Sequence, residues 1–191
     1  MQDEIRISLM ATRQVMEDML ADSGLQKALT HAVESCVAAL NAGGKLMFVG
    51  NGGSAAEAQH FSAEMVGRFL QERRPLPSIA LTTDSSAVTA IGNDYGYDQV
   101  FARQVEALGR QGDVLIAMST SGRSKNIVLA LQAAQSRGVT TIGLTGLHPR
   151  DMAEVSDILL KVPSSHTPQI QEGHLVLGHL LCGMVEKQLL S

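Results

Sequence analysis

His60 and Glu64 stand four residues apart, downstream of the glycine-rich run GNGGS at Gly50–Ser54. On a helix that spacing puts both side chains on one face, about 40° apart. A histidine nitrogen beside a carboxylate can hold a metal or pass a proton, and it can equally be a solvated i, i+4 pair. A second set of polar groups lies near the C-terminus. The stretch IQEGHLVLGHLLCGMVEK is strongly apolar, yet it carries Gln171, His174 and His179. Gln171 and His179 are about 80° apart around a helix and about two turns apart along it. Polar groups on a mostly buried helix cost free energy unless they are partnered. A lone histidine there is usually a core residue. Two helices that each offer a histidine and an oxygen ligand are more specific. If they meet, His60, Glu64, Gln171 and His179 form a four-ligand set suited to zinc.

Two loops add anion chemistry. In STSGRS, the hydroxyls of Ser119, Thr120, Ser121 and Ser124 surround one glycine. A helix N-cap needs only one such hydroxyl. Four of them, with backbone amides, suit a phosphate monoester without requiring a nucleoside. Lys125 follows directly, and its direction is open. GNGGS matches neither the G-x-G-x-x-G nor the G-x-x-x-x-G-K-[ST] pattern, which disfavours a nucleotide. Its glycines let a backbone approach an anion closely, or make a structural left-handed turn. Asn93 and Asp94 lie in a glycine-flanked stretch, where they can bond sugar hydroxyls or simply form a turn.

These groups need a scaffold to bring them together. Five short apolar runs read as strands buried on both faces: Lys45–Gly50, Ser78–Thr83, Asp113–Ser119, Val139–Gly146 and Asp157–Val162. Helical patterns lie between them, at 55–70, 85–91, 99–108 and 126–137, and a final helix spans about 168–190. That alternation predicts a three-layer αβα sandwich around a five-stranded parallel sheet, doubly wound in the flavodoxin manner. Ligands of such sheets bind beyond the carboxyl ends of the strands, where both loops fall. Two helices occupy residues 1–42. The first has a narrow apolar stripe of Ile5, Leu9, Met16, Met19 and Leu20, so these helices are expected to pack on the core and on partner subunits. Residues 1–191 read as a single domain.

Composition narrows the function. Of 191 residues 45% are hydrophobic and only 3% aromatic, and the net charge is −4. A nucleic-acid groove usually needs a basic stripe and stacking platforms, so nucleic acid is not an expected partner. No apolar run reaches about 18 residues and no signal peptide opens the chain, so a soluble cytoplasmic protein is expected. Cys36 and Cys182 lack C-x-x-C spacing and read as buried free thiols.

The segments GNGGSAAEAQH, ALTTDSSAVTAIGNDYGYDQVFARQVEALG, GDVLIAMSTSGRS and IQEGHLVLGH together resemble the phosphoheptose isomerases of the sugar isomerase (SIS) domain superfamily. The resemblance spans essentially the whole chain. It implies an aldose–ketose isomerase that converts D-sedoheptulose 7-phosphate to D-glycero-D-manno-heptose 7-phosphate through an enediol, the first step toward the heptose of lipopolysaccharide or related glycans. It further implies one zinc per subunit and a homotetramer with active sites at subunit interfaces. Carried over residue by residue, the metal ligands fall on His60, Glu64, Gln171 and His179. The acid–base pair falls on Glu64 and His179. Substrate contacts fall on Asn51, Gly52, Gly53, Glu64, Asn93, Asp94, Ser119, Thr120, Ser121, Ser124 and Gln171.

This chain departs from close relatives at two places. Ser165-His166-Thr167-Pro168 stands where they often have Ala-Asp-Thr-Pro, and GLHPRDM stands where many relatives have a glycine-rich turn after the fourth strand. Other SIS functions remain to be weighed. A non-catalytic regulator that resembles this family lacks the glutamate matching Glu64, which this chain has. An isomerase or lyase for another sugar phosphate is opposed by the His60/Glu64 and Gln171/His179 set.

Overall fold

The computed structural model describes residues 1–190. Two helices, α1 (Gln2–Ala21) and α2 (Ser23–Asn41), precede a sheet of five strands. The strands are β1 (Leu46–Val49), β2 (Ser78–Ala80), β3 (Val114–Ser119), β4 (Thr140–Thr145) and β5 (Ile158–Lys161). Their order is β2-β1-β3-β4-β5 and every pairing is parallel. This is the flavodoxin-like order expected from the strand–helix alternation. Between the strands come α3 (Gly53–Val66), α4 (Ser85–Tyr95), α5 (Ala102–Leu108) and α6 (Lys125–Ser136), and α7 (Thr167–Leu190) closes the chain.

The central strands β1 and β3 are almost wholly apolar and buried because the sheet is covered on both faces there, while β4 carries three threonines and the edge strands β2 and β5 are partly exposed. Alternate residues feed separate cores. Leu46, Phe48, Val114, Ile116 and Met118 pack with residues of α2, α3 and α7. Met47, Val49, Leu115 and Ala117 pack with α5 and α6. The period of two along each strand thus becomes three layers.

The strand expected over Ser78–Thr83 ends at Ala80, and three helix boundaries differ by three residues or more from the sequence expectation, each for a local reason. The helix begun by the Asp84 cap runs on to Tyr95, until Gly96 at φ 85 ends it. Asn93 and Asp94 therefore lie in the last turn of a helix. The helix expected over 55–70 stops at Val66. Beyond it, Arg73 donates to the carbonyls of Glu64, Met65 and Gly67. Glu186 of α7 takes the N–H groups of Phe69, Leu70 and Gln71. Finally, the helix expected from residue 99 starts at Ala102, after a tight turn at Tyr97–Gln99.

In α1 only Val15 and Met19 are buried; Ile5, Leu9 and Leu20 of its apolar stripe face outward. Cys36 and Cys182 are buried free thiols. Burial pushes both up, Cys182 to about 12, so neither is a thiolate at neutral pH. His174 is fully buried, and burial pushes its pKa down to about 4 against the smaller pull of the Thr145 backbone. No helix among the described residues is long and apolar enough to cross a membrane.

Candidate active site

Helices α3 and α7 run side by side in the same direction. The Gln171 amide lies against Gly53, the Phe61 ring against Gly178, and the Phe69 ring against Gly183. Gly178 makes the close approach possible: a Cβ there would fall on the buried Phe61 ring. One residue along each helix from that contact, His60 Nε2 lies 2.8 Å from His179 Nε2. Glu64 Oε1 is 3.4 Å from His60 Nε2. The three ligand atoms all lie within 4.8 Å of one another.

Gly178→Ala is therefore expected to force the helices apart. Overpacking of this kind costs about 1–3 kcal/mol of stability. It should also weaken whatever His60 and His179 bind together, which denaturation and metal titration of the variant would check. Unchanged stability and unchanged metal affinity would contradict this role for the glycine.

The donor set fits a divalent metal. Ligands of tetrahedral zinc sit about 2.0–2.2 Å from the ion, which places ligand atoms roughly 3.3 Å from each other. The His60–Glu64 separation is already near that, and the two imidazoles need only a small relaxation. Two ring nitrogens this close either share one proton or share a cation. His179 is held in place by rings: Phe69 stacks on it at 5.4 Å and 11°, and Phe61 meets it edge-on at 6.1 Å. Gln171 stands apart from this cluster. Its amide is at Gly53, seven residues and about 10 Å up α3 from His60.

The serine loop forms at the carboxyl end of β3. Ser119 Oγ is 3.0 Å from Ser124 Oγ and 3.3 Å from Ser121 Oγ. Ser124 occupies the N-cap position of α6, but its hydroxyl makes no cap bond. It turns into the loop instead, so an ordinary N-cap does not explain it. Gly122 at φ 65 lets the loop fold back. Thr120 and Ser121 line a pocket of about 190 Å³ between this loop and the start of α7. Lys125 turns away and pairs with Asp98 at 2.7 Å.

The GNGGS turn shows a structural use of its glycines. Gly52 has φ 56, which favours glycine, and Gly53 has Gln171 against it, so both have structural reasons. Asn51 exchanges two 2.9 Å hydrogen bonds with buried Asn126 and accepts one from Tyr97 at 3.1 Å. The turn is thereby tied to the head of α6, beside the serine loop. Asn93 and Asp94 are exposed and bonded to each other at 2.8 Å.

Several residues at the site carried no signal in the sequence reading. Phe61, Phe69, Arg73 and Glu186 act through contacts between α3 and α7. Glu57, three residues before His60 on the same helix, is half-buried. Burial pushes its carboxyl up to about 7 against a Ser54 hydrogen bond, and Oε2 has no partner. Its spacing from His60 and Glu64 was the available cue.

Comparison with known proteins gives one consistent result. Residues 10–146 match the family model for the SIS domain. The phosphoheptose isomerase of Rhodospirillum rubrum is 54% identical over 192 residues, covering 100% of both chains. That of Burkholderia pseudomallei is 53% identical over 179 residues, 94% of this chain and 91% of the relative. Among solved structures, the phosphoheptose isomerase of Neisseria gonorrhoeae superposes with a TM-score of 0.91 at 42% identity, over 97% of this chain and 98% of that one. The enzyme of Francisella tularensis gives 0.93 at 38%, with the same coverage. In fold, in sequence over nearly its full length, and in the SIS core itself, the chain belongs to the phosphoheptose isomerase family of SIS-domain proteins.

Proposed function

We propose that this protein interconverts D-sedoheptulose 7-phosphate and D-glycero-D-manno-heptose 7-phosphate. The observation that carries this reading is the His60–Glu64–His179 cluster on paired helices, in a chain of this family. Moving a carbonyl between adjacent carbons requires a base for the carbon-bound proton and an acid for the oxygen. Glu64 takes and returns the carbon proton, a role its half-buried position beside His60 supports. His179 serves the oxygen side, a role its fixed position between aromatic rings supports. Ser119, Thr120, Ser121 and Ser124 hold the phosphate, so binding at the remote end orients the reacting end. Asn51, Gly52, Gly53, Asn93, Asp94 and Gln171 complete the contacts to the sugar.

The metal is zinc, held by His60, Glu64 and His179; Gln171 would add a fourth ligand only by swinging its amide away from Gly53 toward the cluster. When bound it supplies Lewis-acid polarisation of the substrate oxygens. The retained Glu64 stands against a purely regulatory SIS protein. The assembly is a homotetramer with interfacial sites, in the cytoplasm. An apolar groove lined by Met16, Leu20, Leu25, Val176 and Leu180 supports burial of α1 and α7 against another copy.

NMR assay of sedoheptulose 7-phosphate with the purified protein, together with metal analysis, tests the reading. The expected result is aldose formation and about one zinc per chain, with the metal lost in His60→Ala. No conversion by folded, zinc-loaded protein would overturn the isomerase assignment. An active metal-free tetramer would remove the zinc.

A further inference from the structure

The pocket beside the serine loop carries charge that the chemistry above leaves unused. Its walls include Thr120, Ser121, Arg123, His148, Arg150 and Thr167, and no Asp or Glu lines it. A phosphate monoester carries nearly two negative charges at neutral pH. The serine cradle offers hydroxyls and amides but no fixed cation, since Lys125 is taken by Asp98. Among the described residues, neither Arg123 nor Arg150 pairs with a carboxylate.

The loop after β4 is docked so that these side chains face the cradle's pocket. The Pro149 carbonyl lies over Gly122, where any Cβ would strike it. The Met152 N–H donates to the Gly122 carbonyl at 3.1 Å, and the Leu147 N–H to the Ser164 carbonyl at 2.9 Å. The loop is thus pinned to the serine loop on one side and to the turn before α7 on the other. Arg150 itself has φ 46 and is the only non-glycine among the described residues with positive φ. Backbone strain of this kind persists where the surroundings hold a residue in place, and it concentrates at ligand sites.

We propose that Arg150, with Arg123, forms the cationic half of the phosphate site and binds the same dianion that the Thr120 and Ser121 hydroxyls reach. The identity of the ligand rests on the sugar-phosphate reading above; its charge class rests on the pocket alone. The counter-charge is carried by the GLHPRDM loop and by Arg123 of the serine loop. Binding should be salt-sensitive, since both guanidinium groups are exposed.

The test is titration of inorganic phosphate into the zinc-loaded protein by calorimetry, at low and at moderate salt, alongside KM for the sugar phosphate. Arg150→Gly removes the charge while glycine accepts the left-handed backbone. It should weaken phosphate binding about tenfold or more and raise KM in parallel, with little change in kcat and with undiminished thermal stability. Adding Arg123→Gln should weaken binding further, and Arg150→Lys should restore part of it. Phosphate affinity and KM unchanged in the double variant would overturn the proposal. A wild type that binds phosphate through Arg150 yet converts no sedoheptulose 7-phosphate would uphold the anion site and overturn the isomerase reading instead.

Discussion

Glu64→Gln is expected to lower kcat by about 10²–10⁴-fold with the fold intact, the range that a positioned acid–base group contributes. Glutamine keeps the shape of the side chain and an oxygen that can still face a metal, but it cannot accept a proton from carbon. The backbone around it should not move, because the Glu64 carbonyl remains bonded to Arg73 at 2.7 Å. Loss of activity with metal content and melting temperature retained would assign the proton to Glu64. Loss of activity together with metal would reduce Glu64 to a ligand. Wild-type turnover in the variant would remove it from the chemistry.

Glu186→Ala is expected to cost about 3–5 kcal/mol, the usual result of breaking one side of a buried ion pair. Native domains hold only about 5–15 kcal/mol in total, so the variant should be near its limit at ambient temperature. Glu186 and Arg73 are 1% and 2% exposed and 2.9 Å apart. The carboxylate also accepts three backbone N–H bonds from the Phe69–Gln71 segment. Removing it strands a guanidinium and three amides in the interior and frees the segment that carries Phe69 over His179. Burial alone would raise the Glu186 pKa, but those amides and Arg73 outweigh it and hold it below the ordinary carboxylate range. A depressed folded pKa stabilises above the unfolded value of about 4.3, and that contribution is lost as pH falls through the folded value. Wild type should therefore lose stability with acid over that window, and Glu186→Ala should lose less of it. Denaturant melts of both proteins across pH 3–7 check this. A destabilisation below about 1 kcal/mol would contradict the role given to the clamp.

Much of the scaffold was legible because its signals are local. Runs such as LMFV and VLIAM are apolar throughout, which in an α/β chain means a strand covered on both faces. The glycines after β1 and the hydroxyls after β3 marked the two loops at the carboxyl edge of the sheet. What local patterns could not supply was the pairing of distant helices. His60 and His179 are 119 residues apart in sequence, and they meet because Gly178 lets the Phe61 ring slot into α7. The direction of Lys125 depended on Asp98, and the end of α3 on Arg73 and Glu186. Asn93 and Asp94 looked like turn residues because glycines flank them. The Asp84 cap starts a helix that Gly92 does not stop, and it runs through them to Gly96. In each case the deciding partner lay far along the chain or in a cap whose strength only the full helix reveals.

The most direct test of proton transfer at the α3–α7 site is NMR of the sugar-phosphate pool equilibrated in deuterated water. Wild type should wash deuterium into the carbon position that exchanges through the enediol, over many reversible turnovers. Glu64→Gln, folded and metal-loaded, should leave that position protonated. Interconversion of the two sugars with no deuterium incorporated, or wash-in by the variant at the wild-type rate, would contradict it.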